Sequence, residues 1–259
     1  MTLLILLACS GEDPSGPGPS VPDDLFDEVW AVDGLSWDLA LYGDGLLSTT
    51  QFGGQIWGWD PQSGVEEEVG DRLGEVQAVA VDGEDIYFTV TDSGMTGFVA
   101  VLTDVRKWDE LATQGDGGLP IRRPEDMVIG PDGALYIADP GAEALWRVER
   151  DGSSAKVVTR NVQPVSVAWH DGLLHYGTVD AVYAWDDGAE VPIEVLDQPG
   201  YGLLSDDGGL LVGSEEGIWE DGVHIAATDV GMRVSSMVRV GDVLYFTDQG
   251  QGSVWSMER

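Results

Sequence analysis

Apolar positions along this chain fall in short runs separated by Gly, Asp and Pro, and they alternate with polar residues instead of recurring at helical spacing. The clearest unit is residues 124–152, PEDMVIGPDGALYIADPGAEALWRVERDG. Met127, Val128 and Ile129 begin an apolar strand that stops at Gly130-Pro131-Asp132-Gly133. Proline presets the φ of a turn's second position, and Asp-Gly tolerates the conformations that complete the turn. Ala134 to Ala138 is a second strand, broken by Asp139-Pro140-Gly141. Leu145, Trp146 and Val148 form a third, closed by Asp151-Gly152. Variants of the unit recur at 39–60, 79–101, 167–188, 202–222 and 237–257. The third strand carries Trp57, Trp146, Tyr183, Trp219 or Trp255 at one register, with Val99 in the second copy. A large flat side chain repeated in this way predicts packing between neighbouring sheets.

A fourth, outer strand is predicted after five of the copies: Val65–Val69, Arg106–Leu111, Ala155–Arg160, Glu190–Leu196 and Val223–Thr228. After the sixth copy the sequence reaches Arg259 with no such stretch. Phe26 to Val32, the β-patterned segment before the first copy, supplies the missing strand. Strict alternation would place Phe26, Glu28, Trp30 and Val32 on one face and Asp27, Val29 and Ala31 on the other. Lending that strand to the last sheet closes a ring and removes two exposed sheet edges. The expectation is an all-β, six-bladed β-propeller of four-stranded antiparallel blades over residues 25–259, closed by the N-terminal strand.

Composition refines this picture. The 259 residues include 36 glycines, as a turn-rich β chain requires, and are enough for one sizeable core. Twelve Lys and Arg stand against 47 Asp and Glu, a formal charge of −35. Such a surface repels nucleic acid and anionic lipid head groups, so neither is an expected partner. The single cysteine excludes an internal disulfide framework. No run approaches the ~20 apolar residues of a spanning helix. Thr2 to Ala8 is apolar and ends in Leu6-Leu7-Ala8-Cys9, which resembles the lipobox of bacterial lipoproteins. The resemblance implies a signal segment over 1–9, lipid attachment at Cys9, and a Pro/Gly/Ser-rich tether over 10–24. It places the protein in the bacterial cell envelope, at the outer membrane or in the periplasm, touching membrane through that lipid alone. A monomer is expected.

Within the repeats, the 124–152 unit resembles NHL and gluconolactonase-like (SMP-30-like) propeller blades, and Leu244-Tyr245-Phe246-Thr247-Asp248 resembles the YWTD motif of another six-bladed class. The gluconolactonase resemblance implies a divalent metal held at the channel mouth by Glu, Asn and Asp from different blades. Here Glu125 occupies the position of that Asn, and blades four to six offer Val165, Gly200 and Ser235, so the ligand set is incomplete. Arg123-Pro124 is also similar to quinone-dependent sugar dehydrogenase propellers, without the histidines such enzymes use as catalytic base, and His170, His175 and His224 lack ligand-like spacing.

Two rings of candidate residues remain. The positions opening the inner strands should line the channel mouth: Trp37 and Asp38, Gln77 and Ala78, Glu125 and Asp126, Val165 and Ser166, Gly200 and Tyr201, Ser235 and Ser236. Asp38, Glu125, Asp126 and Tyr201 are the ligand-binding candidates among them. A second ring, Asp92, Asp139, Asp180, Glu215 and Asp248, falls where second strands end. Such an Asp ordinarily accepts amide hydrogen bonds from its own turn, and calcium is the ion a ring of free oxygens would hold. No cofactor is otherwise implied. The expected function is a non-catalytic propeller presenting its acidic top face to a protein, glycan or small ligand, with a metal-dependent lactonase or hydrolase as the alternative.

Overall fold

The computed structural model describes residues 27–31, 36–50, 53–92, 96–186, 192–206, 208–227 and 232–258. The proposed signal, Cys9 and the tether lie outside them. The described residues form six antiparallel four-stranded sheets and contain no helix. Blade one is β2 (Ser36–Tyr42), β3 (Gly45–Thr50), β4 (Ile56–Trp59) and β5 (Glu66–Gly70). Blade two is β6 (Glu75–Asp82), β7 (Asp85–Thr91), β8 (Gly97–Asp104) and β9 (Lys107–Ala112). Blade three is β10 (Asp126–Ile129), β11 (Leu135–Asp139), β12 (Ala144–Val148) and β13 (Ala155–Arg160). Blade four is β14 (Ser166–His170), β15 (Leu173–Gly177), β16 (Val182–Trp185) and β17 (Ile193–Leu196). Blade five is β18 (Gly202–Asp206), β19 (Gly209–Gly213), β20 (Gly217–Glu220) and β21 (Val223–Ala227). Blade six joins β22 (Val234–Val240), β23 (Val243–Asp248) and β24 (Ser253–Glu258) to β1 (Asp27–Ala31), which pairs antiparallel with β24.

Each inner strand packs on the inner strands of the blades before and after it, and β22 meets β2, so the six blades close a ring. The core is correspondingly divided into six apolar clusters, one at each blade–blade seam. The recurrent aromatics serve these seams. Trp57, Trp146, Tyr183, Trp219 and Trp255 each join the cluster between their own blade and the preceding one. In blade two Ala100, and not Val99, occupies that register, because Ala100 pairs with Phe88 as Trp146 pairs with Ile137.

The outer strands depart from strict alternation at one shared place. In every blade the pairing slips opposite the third-strand aromatic position, leaving one extra residue on the outer strand. That residue is Val69, Leu111, Val158, Val195, Ile225 or Val29, always aliphatic. A bulge adds one unpaired residue and increases local twist, which turns the strand ends toward the seam. The bulge explains why Glu28 does not share a face with Trp30. Trp30 is buried whereas Glu28 is exposed and accepts a hydrogen bond from Ser253 Oγ at 2.7 Å.

Candidate functional site

The inner strands leave a central channel of about 310 Å³, walled by Leu39, Val79, Met127, Val167, Leu203 and Met237 with their neighbours. Above it, a mouth cavity of about 180 Å³ is lined by Trp37, Glu125, Val165, Tyr201 and Ser235, with Arg123, Val179, Arg233 and Gln249. Asp38 and Asp126 border both spaces and form the neck between them. All four residues expected at the mouth, Asp38, Glu125, Asp126 and Tyr201, therefore meet there. In blade five the opening pair is Tyr201 and Gly202, one position later than the sequence suggests, since Gly202 pairs with Gly213 as Ser166 pairs with Gly177. Gly200 serves a close approach instead. A Cβ on Gly177 would lie 1.9 Å from the Gly200 carbonyl oxygen, which also accepts Ser166 Oγ–H at 2.7 Å.

Asp38, Asp126 and Ser236 occupy equivalent registers and do the same local work. Asp38 accepts the amides of Leu39 and, across the seam, Val79, both at 2.8 Å. Asp126 accepts those of Met127 and, across the seam, Val167, both at 2.7 Å. Ser236 Oγ accepts the Leu39 amide at 3.1 Å, stapling blade six to blade one. Burial pushes the Asp38 carboxyl up to about 6, against the lowering effect of its Ser236, Val79 and Leu39 hydrogen bonds. Burial, and then the charge of Asp38, push Asp126 well above the usual carboxylate range.

Glu125 is different. Burial pushes it up to about 7, the nearby charge of Asp139 adds to this, and Arg123 and Arg233 oppose it. Its closest cation is Arg123, with Nε 2.8 Å from Oε1. The contact is off the N–H axis, so the buried Arg123 Nε makes no hydrogen bond. Across the mouth, the Arg233 guanidinium lies 4.3 Å above the Tyr201 ring. It also reaches Glu215 Oε1 from Nη2 at 2.5 Å and Gln249 Oε1 from Nη1 at 3.2 Å.

The second ring does not converge. Asp139 is buried and accepts the backbone amides of Arg122, Arg123 and Ala142 at 2.8–2.9 Å, with Trp146 Nε1–H at 3.1 Å. Asp248 accepts the amides of Arg233 at 3.0 Å and Gly250 at 2.8 Å. Asp92 accepts the Thr96 amide at 2.9 Å. In blade two the equivalent register belongs to Val90, two residues before Asp92, and in blades four and five to Thr178 and Ser214, whose hydroxyls take the turn amides. Asp180 is therefore left exposed on its turn and Glu215 is turned toward Arg233. Among the described residues no three His, Cys, Asp or Glu side chains converge as a divalent cation requires. A gluconolactonase-type metal does not fit this donor set.

Reasoning from the sequence missed Arg233 and gave Arg123 no place at the mouth. The signal was present as two matching segments, Arg123-Pro124-Glu125-Asp126-Met127-Val128 and Arg233-Val234-Ser235-Ser236-Met237-Val238. In each, an Arg precedes the inner-strand opening by two residues, and a buried Asp fixes its backbone.

Fold and site together define a closed six-bladed propeller with a small polar cavity at its channel mouth. No protein-family model matches the chain, and no curated protein matches it. Solved structures do. A gluconolactonase from Xanthomonas campestris is 18% identical, with 90% of this chain and 89% of that one covered and a TM-score of 0.72. The PQQ-bound aldose sugar dehydrogenase of Streptomyces coelicolor is 15% identical over 90% of this chain and 96% of that one, with a TM-score of 0.68. A streptogramin B lyase is 15% identical over 90% and 97%, with a TM-score of 0.60. Likeness at these identities shows the shared fold.

Proposed function

We propose that this protein is a non-catalytic binding propeller, tethered to the bacterial envelope through Cys9, whose ligand is a small polar molecule held at the channel mouth. The observation that carries this reading is the mouth itself. Trp37, Arg123, Glu125, Tyr201 and Arg233 converge there from blades one, three, five and six. The cavity, about 180 Å³, is smaller than the ~300–1,000 Å³ of drug-sized ligand sites and suits something no larger than one sugar. Aromatic walls with a few polar groups are the usual composition of such sites. A thermal-shift screen of sugars, sugar acids, lactones and amino acids should yield a stabilising ligand. Tyr201→Ala, which removes the ring under Arg233, should weaken that ligand by about tenfold. A ligand unaffected by Tyr201→Ala and Trp37→Ala would place the site elsewhere.

The second reading is an enzyme, and Glu125 is the observation that favours it. A carboxyl pushed up to about 7 in a cleft can give or take a proton at neutral pH. The similar solved structures include a gluconolactonase and a lyase. Incubating the screened ligand with protein and following it by NMR separates the readings. Turnover abolished in Glu125→Gln, with the fold intact, would replace the binding module by an acid–base enzyme.

A further inference from the structure

We infer that the molecule taken up at the mouth carries a carboxylate, which is held between Arg123 and Arg233 beside Glu125. The inference rests on the mouth being the ligand site. Blades three and six stand three steps apart in a ring of six, so their equivalent arginines face each other across the opening. Their side chains are 44% and 39% exposed, and both line the one cavity. With 12 Lys and Arg in a chain of 47 acids, two arginines at one opening stand out.

The acids nearby do not engage these arginines equally, and Glu215 already pairs with Arg233 through Oε1, 2.5 Å from Nη2. Asp38 and Asp126 direct both carboxylate oxygens to backbone amides, so their accepting capacity is largely used in stapling the blades. Glu125 has charge contact with Arg123 but no aligned hydrogen bond from its Nε. An incoming carboxylate can meet a guanidinium through two parallel N–H···O bonds, which this contact does not provide. Trp37, Tyr201, Val165 and Val179 supply apolar walls for the remainder of a flat ligand.

The charged groups facing Glu125 are Arg123 on its own segment, Asp139 and neighbouring Asp126 in blade three, and Arg233 from blade six. A second carboxylate beside Glu125 makes its charged form more costly, so the ligand's arrival favours protonated Glu125. Binding then takes up a proton and weakens as pH rises through 7.

Calorimetry with benzoate, benzamide and benzylamine, three ring probes that differ in charge, tests this on the full chain. Benzoate should bind, benzamide should bind at least about tenfold more weakly, and benzylamine should not compete. Benzoate affinity should fall about tenfold from pH 6 to pH 8, with proton uptake seen as a dependence on buffer ionisation enthalpy. Glu125→Gln should remove the pH dependence of benzoate binding, while Arg123→Met and Arg233→Met should each weaken that binding about tenfold. Benzamide or benzylamine binding as tightly as benzoate, with sensitivity to Tyr201→Ala, would overturn the carboxylate inference and leave the mouth as a ligand site. Failure of all three probes at millimolar concentration would overturn both.

Discussion

Replacing Trp30 by alanine should open the ring at the seam between blades six and one. Of the five residues of β1, Trp30 alone is fully buried, at 4% exposure. Its ring stacks on Trp59 with centroids 5.6 Å apart and an interplanar angle of 18°. Trp59 in turn meets Tyr245 edge-on at 5.9 Å. The same cluster contains Leu39 and Leu46 of blade one with Val238 and Val254 of blade six, so the indole is shared by both sides of the closure. Truncating a buried Trp typically costs ~3–5 kcal/mol, and losing an aromatic pair adds ~1 kcal/mol. At ~2–4 °C per kcal/mol for a domain of this size, the midpoint should drop by about 10–20 °C. Scanning calorimetry and urea titration would read the change, with Glu28→Ala as the control. That exposed side chain accepts one hydrogen bond, so its loss should cost about 1 kcal/mol or less. Deleting 1–24 should leave the midpoint unchanged, whereas deleting 1–33 should give aggregated or molten protein. A Trp30→Ala midpoint equal to that of Glu28→Ala, or equal midpoints for the two truncations, would refute the claim that β1 secures the ring.

Glu125→Gln should also stabilise the fold in a pH-dependent way. The folded carboxyl is raised from 4.5 to about 7, so native protein holds the proton more tightly than unfolded chain and stability falls as pH rises between these values. The variant should therefore gain ~2–3 kcal/mol over wild type on going from pH 5 to pH 8, and a pH-independent difference would show that Glu125 titrates normally. Asp139→Ala leaves four donors without their acceptor and should cost ~3–5 kcal/mol by urea denaturation, against less than ~0.5 kcal/mol for exposed Asp180→Ala. Similar values for the two would undo the structural role given to Asp139. In a bacterial host, the protein should partition into detergent and Cys9→Ala should release it, while water-soluble wild type would remove the anchor.

The blades could be read from the sequence because each is a local event. Turn residues at Gly130-Pro131-Asp132-Gly133 and alternating apolar runs set hairpins without long-range information. Even the N-terminal strand could be assigned, since one blade lacked its outer edge. The bulges could not be assigned. Val29 reads as one more position of an alternating stretch, and only the pairing partner reveals that it is the extra residue. The mouth was half readable for a related reason. Counting along each repeat found Asp38, Glu125, Asp126 and Tyr201, but set the opening of blade five one residue early, where Gly200 lies against Gly177. The arginines belong to opposite blades, and their convergence depends on the ring being closed. That Glu125 lacks a backbone amide partner while Asp38 and Asp126 have two each is a matter of side-chain direction, on which spacing is silent.

The pairing of β1 with β24 also sets an order in time. Glu28 and Ser253, which touch across that ladder, lie 225 residues apart in sequence. At ~5–20 residues per second, roughly 10–45 s separate their synthesis, and through that interval the first strand has no partner. The nascent chain thus carries an open β edge with a bare indole, the kind of segment that recruits wrong partners. Asp27 and Glu28 lie on that edge, and the surplus of acids across the other blades repels one unfinished chain from another. The acidity then serves the seconds before the molecule is whole, as a guard on a strand that must wait for the far end of its own chain.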